Sequence, residues 1–263
     1  MKVSHFAKIL AGNNAVKISE NLIVFNDFEL YDMAADESKN YDSLEALLAD
    51  NEDVKKIIND APYFELEWRG GRGASGASDK EMGGGFTNSR GGGKDRSETI
   101  RNAELNFDTA KGNSLTAVYN RFRQKYGTAD HEYGAAIDDQ GFVHYLRNGN
   151  KSNVTYEPAY LDKMTILHNH PNGGNFSKAD LISTATTNAK GVIATSSDAK
   201  IKKTYHFQKN QNFKAKEFVK AVNKAKWPTK YDYNQGADWW LRRNQRTYGY
   251  KYKSTSSGKL IGE

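Results

Sequence analysis

The chain has 263 residues, enough for one substantial domain and a smaller companion, and its 38 Lys and Arg against 32 Asp and Glu give a net charge of +6. It contains no cysteine, which excludes disulfides, thiolate nucleophiles and cysteine-held zinc and leaves His, Asp and Glu as the strong metal ligands. No apolar run approaches the roughly 18 residues a bilayer requires, and residues 1–19 lack a signal-peptide core and cleavage site, so a soluble, cytoplasmic protein without a membrane partner is expected.

Residues 1–68 hold 6 Lys against 14 Asp and Glu, a balance of −8, and the remainder therefore carries +14. An apolar, β-rich run over residues 22–31 is followed by an amphipathic stretch over 43–58. That stretch carries Leu44, Leu47, Leu48, Val54, Ile57 and Ile58, and the pair predicts a small acidic α/β module. Residues 69–97, which include RGGRGASGASDKEMGGGFTNSRGGGKDR, offer almost nothing to bury and predict a flexible linker. Its Arg-Gly-Gly steps suit contact with nucleic acid, although a spacer is the simpler use.

Beyond the linker, residues 98–226 predict the main domain. Leu115, Val118, Tyr119, Phe122 and Tyr126 lie on one helical stripe that ends at Gly127. Residues 132–137 and 142–146 read as strands around the turn Asp138-Asp139-Gln140-Gly141, with Glu132 opening the first. Residues 164–167 form a short apolar strand leading into His168. A helix is expected from Ser177 to about Lys190, strands over 191–195 and 203–209, and an amphipathic helix through Ala215, Phe218, Val219, Val222 and Ala225. The fold class is α+β, with the acidic module and the linker ahead of the main domain.

Residues 227–263 form a basic, aromatic extension, with a short helix over 238–245 and an alternating strand over 248–253. Residues 200–263 hold 16 Lys and Arg against 4 acids, among Trp227, Trp239, Trp240, Tyr248, Tyr250 and Tyr252. Three uses fit this composition: contact with nucleic acid, a solvated face, or docking on the chain's own acidic end. The density of aromatics favours packing on the domain over a base-stacking platform.

The chemistry concentrates in His168-Asn169-His170-Pro171 and Ser177-Lys178-Ala179-Asp180. Alternate side chains of a strand share a face, so His168 and His170 can present both imidazoles to one ion. A helix beginning at Ser177 brings Asp180 to the strand end as a third ligand, which leaves a fourth position for water, the arrangement of catalytic zinc. Glu132, on a strand of the same unit, is the candidate general base, and Ser177 a candidate donor to a developing oxyanion. Ser177 and Asp180 equally fit a helix capping box. His131, His144 and His206 read as ordinary strand residues.

These positions resemble the signature of the JAB/MPN metalloenzymes, also called JAMM: a Glu, then His-x-His-Pro, then Ser-x-x-Asp. The match falls on Glu132, His168, His170, Pro171, Ser177 and Asp180, and the run HNHPNGG is closest to the RadC-like branch. The resemblance covers roughly residues 113–210. It implies a JAB/MPN-like mixed β-sheet flanked by helices, with Zn2+ on His168, His170 and Asp180, Glu132 as general base and Ser177 supporting the tetrahedral intermediate. It also implies amide-bond hydrolysis of a protein or peptide substrate.

The chain departs from the family in having six residues rather than seven between His170 and Ser177. The position of Glu132 rests on strand context, which leaves Glu157 as a poorer alternative base. The stretch from HNHP to YGYKY resembles bacteriophage-encoded JAB-like proteins, which implies a phage or prophage accessory protein in the host cytoplasm or the virion. The alternatives to a hydrolase are a nucleic-acid-binding protein using the basic C-terminal region and a virion or anti-defence protein whose metal is structural.

Overall fold

The computed structural model describes residues 3–60, 114–151, 154, 156, 161–171, 173–196, 203–226 and 232–263; the expected linker, Glu157 and Trp227 lie outside them. The described residues form an α+β protein with two sheets and seven helices. In the acidic region, helix α1 (Val3–Ala11) precedes the antiparallel meander β1 (Ala15–Lys17), β2 (Leu22–Phe25), β3 (Glu29–Asp32) and β4 (Glu37–Asn40), followed by α2 (Leu44–Asp50) and α3 (Glu52–Asp60).

The apolar run 22–31 is two strands because Phe28 adopts a φ of 64° and donates its N–H back to Phe25 O at 2.9 Å, closing a tight turn. The stretch 43–58 is two helices because Asn51 leaves helical geometry at φ −133° and ψ 82°, and its side chain donates to Leu47 O at 2.8 Å, ending α2. Phe6, Leu10, Val24, Leu47, Val54 and Ile58 form the core of this region.

The second sheet has the strand order β10-β9-β8-β7-β5-β6, with β5 (Tyr133–Ile137), β6 (Val143–Asn148), β7 (Thr165–His170), β8 (Gly191–Ser196), β9 (Thr204–Lys209) and β10 (Tyr250–Thr255). Only β7 and β8 run parallel, so the chain must cross over between them, and α5 (Lys178–Thr186) supplies that crossover. Alternation sorts the sheet residues. Ala135, Ile137, Leu167 and Ile193 pack towards α4 (Leu115–Tyr126), whereas Ala136, Ile166, Val192 and Ala194 pack with Leu181 of α5, Phe218 of α6 (Ala215–Lys224) and Leu241 of α7 (Tyr233–Tyr248).

Two helices differ in length from expectation. α5 ends at Thr186, because the hydroxyls of Thr184, Thr186 and Thr187 donate back to the carbonyls of Asp180, Ser183 and Thr184, and Thr187 turns to an extended conformation. α7 is longer than residues 238–245 because an Asp232–Gln235 capping box starts it and Gly249, at φ 74°, stops it.

Part of the charge asymmetry is met within the chain. Lys216, Lys220 and Lys224 lie at four-residue steps on one face of α6, and they pair with Asp27 and Glu29, with Glu29, and with Asp36 respectively. Asn223 donates to Tyr31 Oη at 2.9 Å and Met33 O at 2.8 Å, while Phe25 and Tyr31 share an apolar cluster with Phe218, Val219 and Val222. Docking of the acidic end on part of the basic end is therefore the arrangement found.

Burial raises the Glu29 carboxyl, but hydrogen bonds from Lys216 and Lys220 outweigh it and hold its pKa at about 2 against an ordinary 4.5. A depressed folded-state value contributes stability that is complete above pH 4.5 and lost as pH falls towards 2. Thermal melting of Glu29→Gln should show a lower midpoint than the native chain at neutral pH and a flatter decline across that acid window. Equal midpoints at neutral pH would contradict this account of the docking.

Candidate metal centre

His168 and His170 occupy the last three positions of β7 with Asn169 between them, and both rings turn to the face that carries Ile166. Their Nε2 atoms lie 2.6 Å apart. Asp180 arrives from the first turn of α5, its Oδ2 3.4 Å from His170 Nε2 and 3.9 Å from His168 Nε2. One ligand atom from each of the three residues falls within 4.8 Å of the others, and all three side chains are buried.

The six-residue spacer closes because Gly173, at φ 67°, makes a turn in which its N–H donates to His170 O at 3.0 Å. Gly174 O then accepts from His170 Nδ1 at 2.8 Å, which fixes the tautomer and aims the Nε2 lone pair of the neutral ring at the cluster. The C-terminal region braces this loop. Asn234 of α7 accepts from Asn175 N at 2.8 Å, Tyr233 donates to Phe176 O at 3.1 Å, and Asn175 bonds Tyr252 of β10 at 2.9 Å.

The capping box is also present: Ser177 Oγ accepts from Asp180 N at 3.0 Å, and Asp180 Oδ2 accepts from Ser177 N at 2.7 Å. The capping reading of Ser177 and Asp180 is therefore the one found, in a geometry that also sets Asp180 beside the two histidines. The cap uses only Oδ2, whereas Asp180 Oδ1 is buried with no hydrogen-bond partner among the described residues. A buried carboxylate oxygen without a donor is costly unless a cation meets it.

Two imidazoles and a carboxylate are a borderline-soft donor set suited to zinc. Tetrahedral zinc, with bonds near 2.0–2.1 Å, separates its ligand atoms by about 3.3 Å, so the histidine rings must part by roughly 0.7 Å to receive it. The residues fit the ion with that small adjustment.

Glu132, expected to open this strand, lies one residue before β5, with its backbone N–H donating to Asn150 O and its O accepting from Gly149 N, both at 2.7 Å. It shares the parity of Gly134 and Ala136 and hence the face of the histidines; continuing the β5–β7 register by two places sets it opposite His170. It is 1 % exposed, and its Oε2 has no hydrogen-bond partner among the described residues. Gly134 keeps this wall thin: a Cβ there would lie 1.8 Å from the hydroxyl of Tyr156, which donates to Leu167 O beside His168.

Burial pushes the Glu132 carboxyl up to about 8; the His170 charge lowers it and the Asp180 charge adds to the rise. For His170, burial lowers the value, but the hydrogen bond and charge of Asp180, the Glu132 charge and the Gly174 carbonyl outweigh it and raise it to about 9. Burial, then the neighbouring His170 charge, hold His168 well below its ordinary value. Without an ion, the site thus keeps a proton on His170 and a neutral His168.

The other histidines fall elsewhere. His131 lies on a bend and pairs with Asp130, His144 lies in β6, and His206 in β9 accepts from Ile261 N at 3.0 Å, with burial lowering it to about 4. Sequence reasoning passed over the Gly174 carbonyl as a partner of His170, and over Asn175, Tyr233 and Asn234. Only the glycine-rich loop carried a local signal, since the bracing residues are more than fifty positions away.

No family model, curated protein or solved structure matches the chain.

Metal uptake must displace the proton that His170 holds, because its folded-state value of about 9 keeps it protonated at neutral pH. Calorimetric titration of zinc at pH 7 in buffers of different ionisation enthalpy should register release of about one proton or more per ion. Heat independent of the buffer would contradict this charge arrangement.

Proposed function

We propose that the chain is a zinc-dependent metallohydrolase, a peptidase or isopeptidase that hydrolyses an amide bond, with a JAB/MPN-like fold over its second sheet. The observation that carries the reading is that Glu132, a buried carboxyl with an unengaged oxygen, stands on the same sheet face as the His168, His170 and Asp180 cluster. Three protein ligands with a nearby acid–base group characterise hydrolytic rather than structural sites.

His168, His170 and Asp180 would hold the ion, and Gly174 and Ser177 would orient two of these ligands through His170 Nδ1 and Asp180 Oδ2. Zinc held there supplies Lewis acidity towards a carbonyl oxygen and acidifies water. Glu132 would accept a proton from the attacking water at its carboxylate and give it to the leaving amine as the C–N bond breaks. Ser177 Oγ accepts from Asp180 N and so has its own hydrogen to donate to a developing oxyanion.

The motif His168-Asn169-His170-Pro171 and the aromatic ending support a phage or prophage accessory role for this hydrolase. A non-catalytic, nucleic-acid-binding role is the alternative, favoured by the α7 surface, where Trp239 is 38 % exposed and Arg243 lies 5.7 Å over its ring. Binding to single-stranded DNA that weakens steeply with salt, without hydrolysis of any peptide, would mark that role. Against it, Lys216, Lys220 and Lys224 already meet carboxylates of the same chain.

Among the described residues no helix is long and apolar enough to cross a membrane. Glu132→Gln keeps the shape of the side chain and removes the base. It should retain zinc and lose about a hundredfold or more of the hydrolysis rate in a screen of peptide and isopeptide substrates. Full activity in this variant would remove Glu132 from the chemistry, and absence of turnover in the zinc-loaded native chain would remove the hydrolase reading.

A further inference from the structure

We propose that Asn169, the residue between the two histidines, is a positioning residue that holds Glu132 beside the metal ligands; the proposal rests on the reading of Glu132 as the general base. The backbone ladder between β5 and β7 runs from Ile137 opposite Thr165 to Gly134 opposite His168 and stops there. Glu132 lies two residues beyond that end, where β7 supplies it no backbone partner in the ladder.

Along a strand, successive residues direct their backbone N–H and C=O to alternate sides. Glu132 directs its own pair to the β6 side, to Asn150 O and Gly149 N at 2.7 Å each. The neighbouring groups, His131 O and Tyr133 N–H, face β7, and the Asn169 side chain meets both. Its Nδ2 donates to His131 O at 2.8 Å, and its Oδ1 accepts from Tyr133 N at 2.6 Å. Only a primary amide supplies one donor and one acceptor in this spacing, and the two partners fix which end is oxygen.

Four hydrogen bonds therefore clamp the segment 131–133, two with Gly149 and Asn150 just past β6 and two with Asn169. The side chain is fully buried and, by alternation, lies on the sheet face opposite the two imidazoles. Asn169 thus acts on the position of Glu132 through the backbone rather than on the ligand atoms. An alanine there leaves a part-buried carbonyl and N–H without the amide and frees the segment on its β7 side.

The test uses the full chain loaded with cobalt(II), whose visible spectrum reports the site, titrated with acetohydroxamate. This ligand chelates the metal and gives its proton to a neighbouring carboxylate, so its affinity reads the placement of Glu132 without any substrate. Asn169→Ala should bind cobalt as the native chain does yet bind acetohydroxamate about tenfold more weakly. Adding Asn169→Ala to Glu132→Gln should produce no further loss beyond Glu132→Gln alone, the signature of two residues acting through one group.

Unchanged hydroxamate affinity in Asn169→Ala, additive losses in the double variant, or loss of cobalt would overturn the assignment, the last by showing that Asn169 serves the ligands or the strand. Should Asn169→Ala fail to fold, Asn169→Asp carries the same comparison, since it keeps the acceptor for Tyr133 N–H and lacks the donor to His131 O. An unchanged affinity in Glu132→Gln would instead overturn the general-base reading itself.

Discussion

Four ionisable side chains are buried at one end of a sheet, and the surrounding structure follows from what that burial demands. Glu132, His168, His170 and Asp180 are at most 3 % exposed. A lone charge removed from water costs several kcal/mol, so such groups persist only when they are collected, oriented and matched in sign. The parallel β7–α5–β8 crossover does the collecting, because it returns the first turn of α5 to the end of β7. The tight loop through Gly173 and Gly174 does the orienting, with one carbonyl aimed at His170 Nδ1. Asp180 Oδ1 and Glu132 Oε2 are buried with no hydrogen-bond partner among the described residues.

The same logic links the C-terminal region to the site. Tyr233, Asn234 and Tyr252 hold Asn175 and Phe176, the two residues between the Gly174 carbonyl and the Ser177 cap. The aromatic extension is thereby a wall of the centre. On the far side of α6, three lysines hold the acidic meander through Glu29, Asp27 and Asp36. The positive balance of the C-terminal part is partly met inside the molecule, while Arg243 and Arg246 stay exposed on α7 beside Trp239.

The cluster of His168, His170 and Asp180 was legible because its geometry is local: period two sets the two histidines on one face, and a capping pattern places Asp180 at a helix start. Glu132 was legible through its parity with the strand that follows, although that strand begins one residue later. What escaped depended on single backbone conformations or on distance in sequence. Phe28 at positive φ divides an apolar run into two strands, and Asn51 divides one amphipathic pattern into two helices, neither of which hydrophobic periodicity registers. The threonines that end α5 early act through hydroxyl-to-carbonyl bonds that a pattern of apolar residues does not contain. Pairing of Lys216 with Glu29 spans 187 positions, and opposite net charges alone do not choose partners.

The central claim is that His168, His170 and Asp180 form a metal centre, and elemental analysis of protein purified without chelator tests it most directly. Near-stoichiometric zinc in the native chain, lost in both His168→Ala and Asp180→Ala while the acidic region stays docked, is the result this account predicts. A native chain that holds no zinc and takes up none when it is supplied would contradict it, and would leave Ser177 and Asp180 as a helix cap beside two buried histidines.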